Sequence, residues 1–456
     1  MCGVTGVYSP GQDAARLAFF ALYALQHRGQ ESAGIAAGDG GTIRSHKDMG
    51  LLGAIFDESI LSQLGGYIAV GHTRYSTTGS SIVVNAQPLL ERSDVGDFAF
   101  AHNGNLTNTD ELRETLSPSV ILQASSDSEV MAKLLVEGDG DMVERIRNVL
   151  HKAKGAYSIV LATKDELFAF RDPWGVRPLC LGQLPGNSGY VVASESCALA
   201  TVGATYLREI EAGEIIRINA DGLHSFREQI EAKPALCMFE YIYFARPDSR
   251  LNDHSIYVAR YQMGRILARE HPVEADVVMA VPDSAVPGGI GYSDESGLPY
   301  VEGLIKNRYI GRTFISPDQS TRSRSVRLKF NPVFENLRGQ RVVVVDDSIV
   351  RGTTTPHIVS LLRDSGAREV HVRITSPPIQ HPCYLGVDMA TYDELIAANY
   401  TVAQICEKIG ADSLGYLSLE GLVESTGRRR EEMCLGCLTG EYPNVPAAHR
   451  ARVAVS

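Results

Sequence analysis

Residues 342–355 read Val342-Val343-Val344-Val345-Asp346-Asp347-Ser348-Ile349-Val350-Arg351-Gly352-Thr353-Thr354-Thr355. Four consecutive valines suit a strand buried on both faces, as in a parallel sheet. Two carboxylates follow at its carboxyl end, where open α/β sheets bind ligands. The small, hydroxyl-rich turn from Ser348 to Thr355 then leads into a helix, whose first backbone N–H groups can cradle a phosphate. Asp346 and Asp347 would repel a phosphate and suit sugar hydroxyls or a divalent cation instead. The Gly-x-x-x-x-Gly-Lys pattern of a Walker loop is absent. The segment predicts an α/β domain with a site for a sugar 5-phosphate; its plainer reading is a buried strand closed by an acidic pair.

Outward from this stretch, strands and helices alternate. Ser255–Glu270 reads as a helix, Val277–Val281 as a strand ending in Pro282-Asp283-Ser284, 354–365 as a helix ending at Gly366, and Val370–Ile374 as a further strand. That is a βαβ series. Upstream of Glu231-Ala232-Lys233-Pro234 the pattern differs. Short β-type runs occur at Ile68–Val70, Phe98–Ala101, Ser158–Ala162, Leu167–Phe170, Tyr190–Ala193 and Ile215–Ile218, with helical patches at 14–26, 109–116, 127–137 and 141–153. Antiparallel sheets with packed helices fit this half. The boundary is placed at about 235, giving domains 2–235 and 236–456. Residues 306–330 are rich in basic and hydroxyl side chains. They suit a mobile loop able to fold over an anion as well as a solvated surface loop.

Composition narrows the classes. The chain has 456 residues, 44% hydrophobic and 21% charged, with 43 basic and 54 acidic side chains and a net charge of −11. That balance argues against a broad nucleic-acid surface. No apolar run is long enough to span a membrane. The start has no basic region followed by an apolar one, so a cytoplasmic location is expected. Eight cysteines are too few for a secreted disulfide scaffold in a chain of this length.

Cys2 follows the initiator methionine, and excision of Met1 is expected to expose it. A terminal cysteine carries a nucleophilic thiol beside an amine whose pKa of about 8 suits a general base. Further motifs accompany it: Cys2-Gly3-Val4-Thr5-Gly6, His27-Arg28-Gly29-Gln30-Glu31-Ser32, Gly71-His72-Thr73-Arg74-Tyr75-Ser76-Thr77, His102-Asn103-Gly104-Asn105-Leu106 and Ser126-Asp127-Ser128-Glu129. In this order they resemble the N-terminal-nucleophile glutaminase domain of class II glutamine amidotransferases, which implies an α+β fold, an αββα sandwich. The resemblance makes Cys2 the nucleophile. The Asn103 side-chain amide and the Gly104 N–H form the oxyanion hole. Arg74 binds the glutamine α-carboxylate and Asp127 its α-ammonium. His72 and His102 are read as core histidines, and Gly29 and Gln30 as shaping the loop beside Cys2.

The 342–355 stretch resembles the signature of type I phosphoribosyltransferases. By that resemblance Asp346 and Asp347 sit at the ribose hydroxyls and the metal, while Ser348, Arg351, Gly352, Thr353 and Thr354 hold the 5-phosphate. Together with Phe244-Ala245-Arg246-Pro247-Asp248-Ser249 and Val281-Pro282-Asp283-Ser284, the two halves resemble the amidophosphoribosyltransferase family. The implied reaction is amination of phosphoribosyl pyrophosphate by glutamine, the opening step of purine (IMP) synthesis, with Mg2+ near Asp346, Asp347 and Ser284. Lys306, Arg308 and Lys329 are candidate pyrophosphate contacts. An interior ammonia route, feedback by purine nucleotides and a homo-oligomer, dimer or tetramer, are expected. The alternatives are another class II amidotransferase, such as glucosamine-6-phosphate synthase, and a non-catalytic nucleotide-sensing regulator.

Cys434-Leu435-Gly436-Cys437 is a Cys-x-x-Cys pair, with Cys237 and Cys383 distant in sequence. Spacing leaves zinc, an iron–sulfur cluster, or a reactive pair with two buried cysteines open. The resemblance favours a 4Fe–4S cluster on Cys237, Cys383, Cys434 and Cys437, as in the iron–sulfur branch of the family. Cys180, Cys197 and Cys406 read as core residues. Members of that branch often carry a short propeptide before the nucleophile. Here methionine excision takes its place, or the true start lies upstream.

Overall fold

The computed structural model describes residues 1–76, 79–228, 230–307, 328–389 and 391–445. Its first half is built on two antiparallel sheets. A seven-stranded sheet runs in the order Thr205–Glu209, Cys180–Gln183, Tyr190–Ala193, Gly3–Tyr8, Ile68–Arg74, Ser32–Gly38, Ile43–Met49. A six-stranded sheet runs Gly222–Arg227, Glu214–Asn219, Leu167–Arg171, Gly155–Thr163, Phe98–Leu106, Leu89–Glu91. Val4, Ile68, Val70 and Val192 of the first sheet meet Ala101, Val160, Leu167 and Ile216 of the second in one apolar layer. Helix Ala14–Ala24 buries its alanines and Leu22 on the outer face of the first sheet. Helices Asp127–Val136 and Met142–Lys152 cover the second. The result is the expected αββα sandwich, with alternate strand residues filling the inner and outer layers.

Several strands run beyond their apolar cores. Ile68–Val70 continues to Arg74, and Phe98–Ala101 continues to Leu106. These extensions carry the polar motif residues, which are mostly buried and fully paired in the sheet ladder; Gly3 faces Thr73, and Asn103 faces Ser158. Hydropathy alone cannot see a strand whose buried residues are histidine, threonine and asparagine.

The second half holds a four-stranded parallel sheet in the order Val277–Ala280, Arg341–Asp346, Glu369–Ile374, Ser413–Tyr416. The valines from Val342 to Val345 are buried on both faces, as a central parallel strand requires. Helices Ile256–Glu270 and Val286–Ser296 pack together on this sheet; glycines at 264, 288 and 291 let their backbones touch. Strands Leu304–Lys306 and Phe330–Pro332 pair antiparallel and bracket residues 308–327. Most of the loop expected at 306–330, including Arg308, therefore lies outside the described residues. Among the described residues no helix is long and apolar enough to cross a membrane.

Candidate active sites

Cys2 precedes the strand Gly3–Tyr8, at the centre of the seven-stranded sheet. Its backbone N–H donates to Asn103 Oδ1 at 3.0 Å, across from the other sheet. Asn103 is completely buried, and its Nδ2 has no hydrogen-bond partner among the described residues. A buried donor without an acceptor is costly unless a ligand supplies one. The Cys2 thiol lies 3.6 Å from the Tyr75 carbonyl. Arg28, also fully buried, donates from Nε to the Cys2 carbonyl at 3.0 Å. Its other nitrogens reach Glu195 at 2.5 Å and Glu240 at 2.7 and 3.0 Å.

Arg74 ends its strand and is 3% exposed; its guanidinium meets Glu31 at 2.9 Å and the Ser80 carbonyl at 3.2 Å. Glu31 also accepts from the Ser76 N–H at 2.8 Å, which fixes the chain beyond Arg74. Asp127 opens helix Asp127–Val136 and accepts from the Leu106 N–H at 2.9 Å, so the helix start is tied to the strand bearing Asn103 and Gly104. His72 is buried and lies 3.1 Å from the His102 carbonyl; desolvation pushes it down to about 3. His102 contacts Ser128 Oγ at 2.9 Å, and burial lowers it as well. Both rings are neutral ties within the sandwich rather than proton carriers at neutral pH.

At the end of the central parallel strand, Asp346 Oδ1 accepts from the Asp347 N–H at 2.9 Å. Asp347 accepts from Ser284 at 2.5 Å and from Ser348 at 2.8 Å. Burial pushes both carboxyls up, and for Asp346 the adjacent Asp347 adds to the shift. Two adjacent carboxyls that resist ionisation, Asp346 half-buried and Asp347 buried, are a site that a divalent cation would relieve. Arg260, buried and donating to the carbonyls of Tyr241 and Ala245 at 2.8 Å each, faces Asp347 electrostatically. The turn 348–354 leads to helix Thr355–Asp364, with Thr354 at the N-cap position. Gly352 has φ +67°, and a Cβ there would stand 2.4 Å from Ile396 Cδ1, so only glycine fits. Thr353 and Thr354 are exposed. Arg351 is held aside by Glu394 at 3.1 Å and Asp388 at 3.6 Å. Lys306 meets Asp283 at 2.5 Å, and the Lys329 carbonyl accepts from the Asn307 N–H at 2.8 Å.

The cysteines distant in sequence come together in the second half. Leu236–Cys237 and Met433–Cys434 pair as parallel strands with Cys237 opposite Cys434. The Cys437 carbonyl accepts from the N–H groups of Gln380 and His381 at 3.1 and 3.0 Å, and Cys383 Sγ accepts from the Leu385 N–H at 3.4 Å. Cys237 and Cys434 lie within one apolar cluster against which Cys383 and Cys437 pack. Burial pushes the Cys237, Cys434 and Cys437 thiols up, and their mutual proximity adds to it. Among the described residues no three His, Cys, Asp or Glu side chains form a set closed enough to hold a metal ion. The remaining cysteines are apart: Cys180 and Cys197 sit in the core of the first half, and Cys406 is half-buried beside the Ala411 carbonyl.

Sequence reasoning passed over Tyr75, Arg28, Glu195, Glu240, Arg177 and Arg260. Arg28 stands inside a quoted motif but received no role. Glu195 and Glu240 carry no local signal, since charged residues in apolar surroundings read as surface positions.

A family model for a glutamine amidotransferase domain matches residues 72–201. The amidophosphoribosyltransferase of Synechocystis is 52% identical over 98% of this chain and 92% of its own length. That of Methanocaldococcus jannaschii is 50% identical over 97% of this chain and 98% of its own. The solved structure of the glutamine phosphoribosylpyrophosphate amidotransferase of Bacillus subtilis, complexed with ADP and GMP, superposes with a TM-score of 0.91 at 46% identity, covering 98% of both chains. With an antiparallel glutaminase sandwich, a parallel transferase sheet and similarity of this extent to both bacterial and archaeal enzymes, the chain belongs to the amidophosphoribosyltransferase family.

Proposed function

We propose that this protein moves ammonia from glutamine onto phosphoribosyl pyrophosphate, giving 5-phosphoribosylamine, glutamate and pyrophosphate, the first step of de novo purine synthesis. Residues 2–235 form the glutaminase and 236–456 the transferase. With Met1 removed, the nitrogen that now donates to Asn103 becomes the α-amine of Cys2. The thiol, its proton taken by that amine, attacks the glutamine carboxamide carbon. Asn103 Nδ2 and the Gly104 N–H stabilise the oxyanion, ammonia departs, and water hydrolyses the thioester to glutamate. Arg74 and Asp127 orient the amino-acid end of the substrate.

In the second half Asp346 and Asp347 hold the ribose hydroxyls, and Ser348, Arg351, Gly352, Thr353 and Thr354 hold the 5-phosphate. Mg2+ fits beside Asp346, Asp347 and Ser284, because the paired carboxyls need a counter-charge and the substrate supplies the remaining oxygen ligands. When bound it neutralises the departing pyrophosphate. Lys306 and Lys329, at the stem of the 308–327 segment, and Arg308 within it, contact that leaving group. Ammonia reaches the anomeric carbon by an interior route.

Cys237, Cys383, Cys434 and Cys437 fit a 4Fe–4S cluster. Four thiols in one apolar cluster, with two of them in register on paired strands, supply the donor set. When bound, the 4Fe–4S cluster ties the C-terminal segment to the start of the transferase half. The protein is a cytoplasmic homo-oligomer, dimer or tetramer, inhibited by purine nucleotides; a relative solved with ADP and GMP supports that regulation. Nucleic acid and membrane have no part.

The observation that carries the reading is Asn103, whose carbonyl holds the Cys2 nitrogen while its buried amide waits for an acceptor. The test is pyrophosphate release with glutamine and phosphoribosyl pyrophosphate both present, alongside Cys2→Ala. Turnover that needs both substrates and is lost in the variant, but returns with ammonium, supports the reading. Glutamate release without pyrophosphate release would point to a different amidotransferase, and no turnover at all to a regulator.

A further inference from the structure

Cys383 begins a strap whose next residues rest on the glutaminase site. The Tyr384 carbonyl accepts from Asn105 Nδ2 at 3.0 Å. The Leu385 carbonyl accepts from Arg177 Nε at 3.0 Å and from Nη2 of the same guanidinium. Gly386, at φ +99°, lies so close that a Cβ there would stand 3.1 Å from the Gly104 carbonyl carbon and 3.2 Å from its oxygen. Asp388, just beyond, accepts from the Tyr75 hydroxyl at 3.1 Å. Three contacts from one short segment thus reach the strand bearing Asn103 and Gly104 and the residue whose carbonyl faces the Cys2 thiol, and a fourth ties the segment to Arg177.

Arg177 is the clamp of this arrangement. Its side chain is fully buried. Two of its nitrogens hold Leu385. The third lies 3.9 Å from Glu240, three residues after Cys237, and contacts Met1 Sδ, a contact that ends when Met1 is removed. Glu240 is bound in turn by Arg28, which holds the Cys2 carbonyl. A guanidinium can span these directions because its donors form a rigid fork. Its charge also interacts with Cys237, Cys383 and Cys434.

We propose that Arg177 is a positioning residue for the glutaminase half-reaction: it presses the Cys383–Gly386 strap onto the strand at Gly104 and so makes the four-cysteine site and the oxyanion hole share one wall. It touches neither glutamine nor the reacting atoms. The inference rests on the function proposed above, and its consequences fall on kcat for glutamine rather than on binding, because Arg74 and Asp127 carry the substrate's charged groups. A displaced oxyanion donor weakens only the transition state.

The test uses anaerobically purified full-length protein and the variants Arg177→Met, Arg177→Lys and Gly386→Ala. Glutamine-driven and ammonium-driven pyrophosphate release and iron content are measured for each. Arg177→Met is expected to lower kcat with glutamine by about tenfold or more, with KM for glutamine and the ammonium-driven rate each within about twofold. Its iron content falls too. Arg177→Lys keeps the charge, retains iron and recovers kcat only partly. Gly386→Ala keeps Arg177 and iron but crowds Gly104, so its glutamine kcat falls in the same way. If Arg177→Met and Gly386→Ala keep the parent kcat, or if glutamine- and ammonium-driven rates fall together in both, the inference is overturned. Should Arg177→Met not fold, the Lys and Gly386→Ala variants decide it by the same criteria. Failure of the proposed function is distinct: the unaltered protein would then lack iron, or lack glutamine-driven release.

Discussion

Replacing Asn103 by alanine tests the glutaminase at its most exposed assumption. The proposal gives the side chain two jobs: Oδ1 accepts from the Cys2 nitrogen at 3.0 Å, and Nδ2, buried and without a partner among the described residues, receives the oxyanion. Loss of one oxyanion donor in a dry site costs about 3–4 kcal/mol of transition-state stabilisation, about 150- to 800-fold in rate. Loss of the Oδ1 contact adds about 1 kcal/mol through poorer placement of the nucleophile's amine. Asn103→Ala should therefore lower glutamine-driven kcat by a factor of the order of a thousand. Ammonium-driven synthesis bypasses the amide and should hold its rate. Asn103→Asp separates the two jobs. It keeps an acceptor for Cys2 but removes the donor and sets a negative charge where the oxyanion develops, so it should fall at least as far as alanine. The assay is steady-state glutamate release at saturating phosphoribosyl pyrophosphate, with pyrophosphate release from ammonium as the internal control. An aspartate variant within a few-fold of the parent would refute the role of Nδ2, and an alanine variant with equal losses on glutamine and ammonium would show that only the fold had suffered.

Other outcomes follow from the second site and from the buried histidines. Asp346 is pushed up by burial and by Asp347, so its ionised form opposes folding as pH rises above the ordinary value of 3.8. At pH 7 Asp346→Asn should then stabilise the metal-free protein by about 1 kcal/mol in thermal unfolding while lowering ammonium-driven synthesis by about tenfold or more. A variant that melts below the parent would contradict the sign. Chelation of divalent cations should abolish pyrophosphate release with either nitrogen donor yet leave slow glutamate release from the Cys2 site, measured on the same samples. His72 is held down to about 3 from 6.5 by desolvation, so its share of stability is intact above pH 6.5 and is lost as pH falls towards 3. The slope is about 1.4 kcal/mol per pH unit. Urea midpoints at pH 7 and pH 5 should differ by correspondingly less in His72→Gln than in the parent.

Much of this was legible from residue types alone. Val342–Val345 announced a central parallel strand, and helices such as Ala14–Ala24 and Met142–Lys152 showed their periodicity to within two residues. Ser32–Gly38 escaped, because Ala and Gly have little strand preference; only burial between neighbouring strands makes it one. Gly71–Arg74 and His102–Leu106 escaped as strands for the opposite reason, polar side chains in buried ladder positions. At the sites, motif residues were found because each motif is local in sequence. Contacts such as Arg28 with Glu195 and Glu240, made across 167 and 212 residues, leave no local trace. Nor could spacing reveal that Cys237 and Cys434 stand in register, since that depends on a parallel pairing between the two ends of the second half.

Burying Arg28, Glu195 and Glu240 without exposure is a poor way to gain stability. Desolvation offsets most of the attraction in such groups, and apolar side chains of equal volume often serve as well or better. What charges add is direction. Arg28 binds the Cys2 carbonyl with one nitrogen, and its partner Glu240 sits in the turn that follows Cys237. Glu195 collects His27 and Arg28 from the first half and the Arg246 N–H and Ser249 hydroxyl from the second. Every one of these bonds crosses between the sandwich and the parallel-sheet half or fixes a group that does. An apolar interface tolerates a slide of an ångström at small cost, whereas removing one partner from a buried ionic set costs about 3–5 kcal/mol. On the function proposed above, ammonia passes from Cys2 to a carbon beside Asp346 and Asp347, which needs the two halves held in a single register. The buried ions impose it, and through Arg28 they impose it at Cys2, the proposed nucleophile.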